Sequence, residues 1–391
     1  MYQIQNDSVE RQQLVERILA DMRATRPEHG YKASMMRVLF CKQPAPSGAL
    51  EQNDDVGRFL RQGYCLTFED LYRADVLPKD NPKLKESVFK EEFEVPQLGI
   101  EDLGDLEKGR TDVYFLGQTY SGHSCMLAGV IKYLHDKGRG VYVPHRNREG
   151  KDVCVPCCNA FIRGLDECKL PQSTCRDTMS FLQFNLGESF DHKVTFVEYG
   201  DGALARMSSA VSDNPEVWNH ESLCLCLKND NPKTLFFVLS YEIISNINPS
   251  YSEPYQAEIL ENALLAMCYN GEGKDRTKNC TMSKVKTVAI VFSFSDLMDK
   301  VAGRKLSKIE RRKVAMDYLN NRLRSFMNQL HDVSQKYGIN KDNEYNPYIY
   351  SFGLGSFYVG NSVVYDPSDS ECLAEFLINS TKPKQKFGFL E

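Results

Sequence analysis

The stretch that decides the fold is Asp112-Val-Tyr-Phe-Leu-Gly117-Gln-Thr-Tyr-Ser-Gly122-His123-Ser124-Cys-Met-Leu-Ala-Gly-Val-Ile-Lys-Tyr-Leu134. The apolar run at 113–116 predicts a buried strand, and the two glycines that follow bound a short loop. From residue 123 onward the apolar positions recur with helical spacing, and Gly138 is a suitable end for that helix. The stretch therefore predicts a strand, a glycine-bounded loop and a helix in succession.

The loop has the spacing Gly-x-x-x-x-Gly-x-Ser, which is typical of loops that bind phosphate through backbone N–H groups. In such loops a lysine before the final serine or threonine reaches the β- and γ-phosphates, and the hydroxyl holds Mg²⁺. Here His123 stands at the lysine position and Ser124 supplies the hydroxyl. An unperturbed imidazole is mostly uncharged near neutral pH. Compared with such phosphate-binding loops, this loop has the same spacing of glycines and serine but lacks the positive charge of the lysine.

The composition is that of an ordinary globular protein. The 391 residues suffice for one large domain and a smaller one, and 42% of them are hydrophobic. A net charge of −5 predicts no general attraction to nucleic acid or to an anionic membrane. No apolar run reaches the ~18 residues that cross a bilayer, and the N-terminus lacks the short apolar core of a signal peptide. We expect a cytoplasmic protein without a membrane span.

The chain has thirteen cysteines, and two groups of them stand out. Cys224 and Cys226 lie in an apolar, strand-like run, where buried free thiols behave as small hydrophobic groups. Elsewhere a Cys-x-x-Cys pair with later cysteines could bind zinc, although structural zinc sites usually present two compact pairs. We expect the cysteines of that second group to be reduced and partly buried, and a zinc site formed by them remains an alternative. Its members are Cys154, Cys157, Cys158, Cys168 and Cys175.

Strands and helices alternate after the decisive stretch. The runs 179–186 and 193–199 flank Gly-Glu-Ser-Phe-Asp and predict a hairpin. A capping box, Ser307-Lys-Ile-Glu310, begins one long helix that Gly338 ends. Further buried strands are predicted at 235–239, 285–294 and 348–352, each followed by a helical pattern. The alternation predicts an α/β fold with a doubly wound, mostly parallel sheet.

The pattern also suggests how the chain is divided. Residues 1–110 are predicted to be a small N-terminal region with a helix over 7–23 and a charged connector. Residues 111–391 are predicted to form the α/β domain, with a Cys-rich insertion at 138–178.

The order of these elements resembles the Ras-like domain of P-loop GTPases, over about residues 111–380. The resemblance implies that GTP and Mg²⁺ would be the cofactors, if any are bound. It also implies that the ligand would lie on the glycine-bounded loop. The loop residues that would hold it are Gly117, Ser121, Gly122, His123 and Ser124.

The other family motifs are only partly present. The switch threonine that binds magnesium falls at Thr174 by position alone. The Asp-x-x-Gly motif keeps Gly200 but has Val197 at the aspartate position. The guanine-specificity motif keeps Asp296, while Phe294 stands where the family has lysine. Three charge-bearing positions are thus altered together, and phosphoryl transfer depends on positioning and electrostatics.

The resemblance therefore implies a catalytically degenerate GTPase-like protein. We expect a binding or scaffold component of a cytoplasmic bacterial assembly, with protein partners and weak or no nucleotide binding. The alternative is a divergent Mg²⁺-dependent nucleotide hydrolase. In that enzyme Ser124 and Glu198 would hold the metal, with Asp201 as the other candidate carboxylate beside His123.

Two further interpretations stay open. Gly122-His123-Ser124 resembles part of the nucleophile elbow of α/β-hydrolases, with Ser124 as nucleophile and Asp296 and His331 as partners. Met126 stands where that elbow needs its closing glycine. Alternatively, the glycines and Ser124 form only a turn and a helix cap.

Overall fold

The computed structural model describes residues 9–24, 55, 58–59, 95–96, 98–118, 121–167, 170–171, 178–200, 202–209, 221–241, 253–270, 279–356 and 364–382. The chain divides into two compact units. One comprises 1–92, 166–170 and 355–366, and the other 93–165, 171–354 and 367–391. Thr174, Asp201, Cys168 and Cys175 lie outside the described residues.

Eleven α-helices lie within the described residues. They are α1 (Val9–Ala24), α2 (Ile100–Leu103), α3 (His123–Asp136), α4 (Cys154–Asp166), α5 (Ala203–Ser209), α6 (Ser222–Lys228), α7 (Glu253–Tyr269), α8 (Ser295–Ala302), α9 (Lys308–Arg322), α10 (Arg324–Tyr337) and α11 (Ser368–Ser380). Two short 3₁₀ helices cover Thr281–Lys284 and Lys341–Asn343.

One mixed sheet of eight strands organises the second unit. Its strands are β1 (Leu98–Gly99), β2 (Thr111–Gly117), β3 (Gly140–Val143), β4 (Thr178–Leu186), β5 (His192–Tyr199), β6 (Lys233–Ser240), β7 (Val285–Ser293) and β8 (Tyr348–Phe352). The order is β1-β4-β5-β2-β6-β7-β8, and β3 also pairs with β4. In the first unit, β9 (Gly355–Ser356) and β10 (Val364–Tyr365) form a separate antiparallel pair.

The sheet has the α/β character that the sequence predicts. Strand β2 lies between β5 and β6 and is parallel to both, and β6, β7 and β8 continue the parallel part. Strands β4 and β5 form the predicted antiparallel hairpin. The prediction of an α/β fold with a central strand at 113–116 is confirmed.

Helices pack on both faces of the sheet. Neighbouring residues of a strand point to opposite faces. Phe236 of β6 meets Phe376 of α11, with ring centroids 5.8 Å apart. Its neighbour Phe237 meets Phe326 of α10 at 5.3 Å. Both contacts are between apolar rings, so each face of β6 contributes to a hydrophobic core.

Two local predictions differ from the structure. The run around Cys224 and Cys226 forms helix α6, and both thiols are buried there. The single long helix predicted from Ser307 is two helices, because the backbone at Leu323 leaves the helical region (φ −117°, ψ 27°). The capping box at Ser307 and the left-handed Gly338 at the far end are both present.

The Cys-rich insertion contributes a strand and a helix to the second unit. Strand β3 pairs with β4, and α4 carries three buried cysteines. The Sγ atoms of Cys154 and Cys158 are 3.8 Å apart, and Cys157 donates to the carbonyl oxygen of Pro96. Burial raises the pKa of the Cys157 thiol to about 12. These three thiols are packed against protein, and the zinc hypothesis, which needs Cys168 and Cys175, stays a prediction.

A buried polar network joins the amino-terminal ends of β2 and β6. Lys233 Nζ donates to Asn229 O at 2.7 Å, Asn229 Oδ1 at 2.9 Å and Asn231 O at 2.9 Å. The Asp112 carboxylate accepts from both asparagine side-chain amides, at 2.6 and 3.1 Å. Burial raises the pKa of Asp112 to about 6 and lowers that of Lys233 to about 8. The two buried charges therefore depend on the hydrogen bonds of the asparagines that lie between them.

Replacing Lys233 by methionine should lower the free energy of unfolding by ~3–5 kcal/mol, because three buried acceptors would lose their donor and the Asp112 carboxylate would lose a nearby buried positive charge. The matched control is Lys286→Met on the neighbouring strand β7, where the side chain is exposed. Urea unfolding of both variants measures the difference. Equal stability of the two variants would contradict the assigned role of Lys233.

Candidate functional site

Strand β5 separates from β2 at the carboxyl end of the sheet. Their pairing stops at Tyr114 and Val197, whereas β2 continues to pair with β6 as far as Gly117. Tyr199 fills the gap between the strands. Its hydroxyl donates to Phe115 O at 2.8 Å and accepts from the Gly117 N–H at 2.9 Å. The point where the two strands part lies at the carboxyl ends of parallel strands, where ligands bind in open α/β sheets.

The loop from β2 to α3 needs its two glycines. A Cβ atom on Gly117 would lie 2.1 Å from Ser121 Oγ and 3.0 Å from Val238 Cβ. Gly122, the N-cap residue of α3, has a φ of +84°. Residues other than glycine rarely adopt this conformation. The Ser121 N–H donates to Gln118 O at 2.9 Å, and the Ser121 side chain is fully buried. The loop is therefore tightly packed at its base.

His123 is buried, with only 4% of its surface exposed. Its ring stacks in parallel on Tyr199, with centroids 5.1 Å apart and an angle of 4° between the planes. Nε2 lies 3.9 Å from Glu198 Oε1, and Nδ1 lies 3.5 Å from Ser121 Oγ. Both ring nitrogens thus face polar groups of the protein.

Ser124 and Glu198 are in direct contact. The Ser124 hydroxyl donates to Glu198 Oε1, and the Glu198 side chain is almost fully buried. Successive side chains of a strand alternate between faces, so Val197 points away from α3. The carboxylate that meets the helix therefore comes from Glu198, one residue after the predicted aspartate position.

Two other predicted residues, Gly200 and Asp296, lie at the same edge of the sheet, whereas Thr174 is outside the described residues. Gly200 follows β5, and its carbonyl oxygen accepts from Ala203 N at 3.2 Å in the turn to α5. Asp296 lies in the first turn of α8, directly after β7. A Cβ atom on Gly122 would lie 4.0 Å from Phe294 Cζ, so the end of β7 approaches the start of α3. The structure thus brings the loop, Glu198 and the backbone of this segment together.

The sequence interpretation missed a second polar cluster near this edge. Arg311 of α9 donates to both carboxylate oxygens of Asp299, at 3.1 and 2.6 Å, and its Nη1 lies 3.5 Å from Asp369 Oδ2. Asp369 also accepts from Ser295 Oγ at 3.1 Å and from Gly353 N at 3.0 Å. These residues come from α8, α9, α11 and the ends of β7 and β8. No local sequence pattern links positions so far apart.

The hydrolase interpretation receives no support from the arrangement. Ser124 meets Glu198 on the face of the sheet that Phe196, Phe115 and Phe236 share through their stacked rings. The predicted histidine, His331, belongs to α10, which packs on the opposite face. A nucleophile and its base must lie within hydrogen-bond reach.

No protein-family model matches the chain, and no curated protein is significantly similar to it. Within the part of the chain that the structure describes, no helix is long and apolar enough to cross a bilayer. The same residues include no group of three or more His, Cys, Asp or Glu side chains that could hold a metal ion.

Gly117→Ala should lower the free energy of unfolding by ~1–3 kcal/mol, because the added methyl group overpacks the base of the loop. Gly99→Ala is the matched control, since Gly99 has a φ of −62° and an added Cβ atom would lie 3.8 Å from its nearest neighbour. Urea unfolding measures both variants. If Gly117→Ala is as stable as the control, the loop is not packed as described.

Proposed function

We propose that the chain is a catalytically degenerate GTPase-like protein that acts as a binding or scaffold component of a cytoplasmic bacterial assembly. The strand order supports a doubly wound, P-loop GTPase-like fold. Strand β2, its glycine loop and α3 lie at the centre, the β4–β5 hairpin lies on one side, and three further parallel strands lie on the other. Under this proposal the chain has the fold of a nucleotide enzyme and lacks the residues for its catalysis.

The environment of His123 carries the proposal. A phosphate-loop lysine presents a permanent charge on a long, flexible side chain. His123 is instead a short, buried ring held between Tyr199 and Glu198. Even when protonated, this imidazole would stand beside a carboxylate, so the pair would add no net positive charge. A nucleoside triphosphate bound here would lack the compensation that its negative charges need.

The insertion at 138–178 supports a role in contacting other proteins. Its strand β3 pairs with β4, and Val141 on that strand is 48% exposed. An exposed strand at the border of a sheet is a common docking element, because another chain can add to its backbone hydrogen bonds. We therefore propose this insertion as one of the contact elements for a protein partner.

Calorimetric titration tests the nucleotide part of the proposal. Wild-type protein should bind GTP and ATP with a dissociation constant weaker than ~100 µM, with or without Mg²⁺. His123→Lys should strengthen triphosphate binding about tenfold or more by supplying a cation to the loop. The control is His135→Lys in the last turn of the same helix, where the side chain is 47% exposed. Micromolar or tighter binding by the wild-type protein would refute the proposal.

A divergent Mg²⁺-dependent nucleotide hydrolase is the second candidate, and the Ser124–Glu198 contact favours it. Mg²⁺ prefers oxygen ligands, and this hydroxyl and carboxylate lie together beside the loop. The two side chains therefore fit the ion, which would neutralise phosphate charge when bound. Their role would be to hold the metal near the start of α3.

Turnover measurements separate the two candidates. If the chain hydrolyses GTP, Glu198→Gln should lower kcat by about two orders of magnitude, since the amide keeps the hydrogen-bond acceptor and loses the charge. Asp201→Asn is the comparison. Because Val197 faces away from α3, His123→Lys combined with Val197→Asp should turn over no faster than His123→Lys alone. If the wild-type protein hydrolyses GTP and both Glu198→Gln and Asp201→Asn keep the wild-type rate, neither carboxylate binds a catalytic metal ion.

A further inference from the structure

One segment of this acidic protein is strongly basic. Residues 303–324 contain eight lysines and arginines and two acidic residues, a net charge of +6, whereas the whole chain carries −5. The basic residues are Arg304, Lys305, Lys308, Arg311, Arg312, Lys313, Arg322 and Arg324. The segment covers the turn after α8, all of α9 and the start of α10.

Part of this charge is paired with carboxylates of the protein itself, and part is exposed. Arg311 pairs with Asp299 at 2.6 Å, and Arg304 pairs with Glu310 at 2.5 Å. Lys305, Arg312 and Lys313 are exposed. Arg312 and Lys313 are consecutive residues of α9, so their charges lie close together, and Lys305 lies in the turn just before that helix.

Two strongly exposed aliphatic side chains lie in or next to this segment. Ile309 in the first turn of α9 is 82% exposed, and Val301 near the end of α8 is 61% exposed. Ile309 lies three and four residues before Arg312 and Lys313, so all three share the outer side of α9. We name the surface formed by Val301, Lys305, Ile309, Arg312 and Lys313 the basic corner.

The basic corner is held in shape by the hydrogen bonds of the turn behind it. Asp299 accepts from Leu306 N at 2.9 Å and from Arg311, and it thereby ties the turn to both helices. The Glu310 carboxylate accepts from Ser307 N at 2.8 Å and completes the capping box. Such a surface loses little conformational entropy when it binds.

We propose that the basic corner binds the surface of an anionic lipid membrane. Lysine and arginine near such a surface are attracted to acidic headgroups, and neighbouring aliphatic side chains enter the boundary between headgroups and acyl chains. The excess negative charge elsewhere on the protein orients this corner toward the lipid.

The exposed side chains favour a membrane over other polyanions. Proteins that bind single-stranded nucleic acid stack bases on aromatic rings, and the apolar members of the corner, Val301 and Ile309, are aliphatic. Peptide segments dock in a groove or along a strand edge. Side chains as exposed as these two protrude from the surface instead of lining a groove.

Co-sedimentation of the full chain with lipid vesicles tests the proposal. The protein should bind mixed phosphatidylcholine–phosphatidylserine vesicles, bind pure phosphatidylcholine vesicles much more weakly, and dissociate as salt is raised. Lys313→Glu should weaken binding roughly tenfold, since it removes one attraction and adds one repulsion. Ile309→Ser should weaken it roughly fivefold at unchanged net charge.

The charge-matched control is Lys193→Glu, on an exposed position of β5 beyond β2 in the strand order. It should bind the mixed vesicles like the wild-type protein, and all three variants should keep the wild-type melting temperature. Equal weakening in Lys193→Glu and Lys313→Glu would overturn the proposal, as would failure to bind vesicles at all. Binding to a polyglutamate peptide or a duplex oligonucleotide in place of vesicles would also overturn it, in favour of a different partner.

Discussion

The separation of β5 from β2 is the constraint on which the candidate site depends. Where the two strands part, Phe115 O and the Gly117 N–H lose the partners that a continuous ladder would supply. A buried backbone group without a partner costs ~1–3 kcal/mol. The Tyr199 hydroxyl bonds both groups, and its ring then offers the flat surface on which His123 stacks. One tyrosine thereby completes the sheet and fixes the imidazole.

The fixed imidazole determines the electrostatics of the loop. Since His123 lies 3.9 Å from Glu198, any proton that it gains is compensated locally. Glu198 in turn accepts from Ser124, so the serine hydroxyl also has an internal partner. The groups that would contact phosphate and metal in a nucleotide enzyme therefore contact one another, and a metal ion would bind here only by replacing the hydrogen bond between Ser124 and Glu198.

The sequence predicted the parts of the fold that depend on local pattern. The run at 113–116, the glycine-bounded loop and the β4–β5 hairpin follow from strand periodicity and turn residues. The alternating run at 223–227 has the pattern of a strand but forms helix α6. A tertiary contact holds this helix, because the Tyr114 hydroxyl of β2 donates to Cys226 O at 3.1 Å. Helix periodicity likewise could not reveal the break at Leu323, since its apolar side chain suits either conformation.

Motif spacing predicted only the loop of the candidate site, and Glu198 was one of two carboxylates named to replace the missing aspartate. Gly117, Gly122, His123 and Ser124 follow one another closely, and their spacing carries a physical meaning. Which residue of β5 faces α3 depends on the strand's register against β2, and that register is a tertiary property. The sequence motif therefore pointed to Val197, while the pleat of the strand presents Glu198.

The polar clusters around the site also bear on whether this domain can act as a switch. A ligand shifts a conformational equilibrium only as far as its affinities for the two states differ. Under the proposed function no nucleotide supplies that difference. Arg311 meanwhile ties α9 to Ser295 and Asp369, at the ends of β7 and α11. The basic corner, which begins on α8 and α9, is thus anchored to the same edge of the sheet as the site. An edge held by internal ion pairs is suited to present a fixed surface, and a fixed surface is what a scaffold requires.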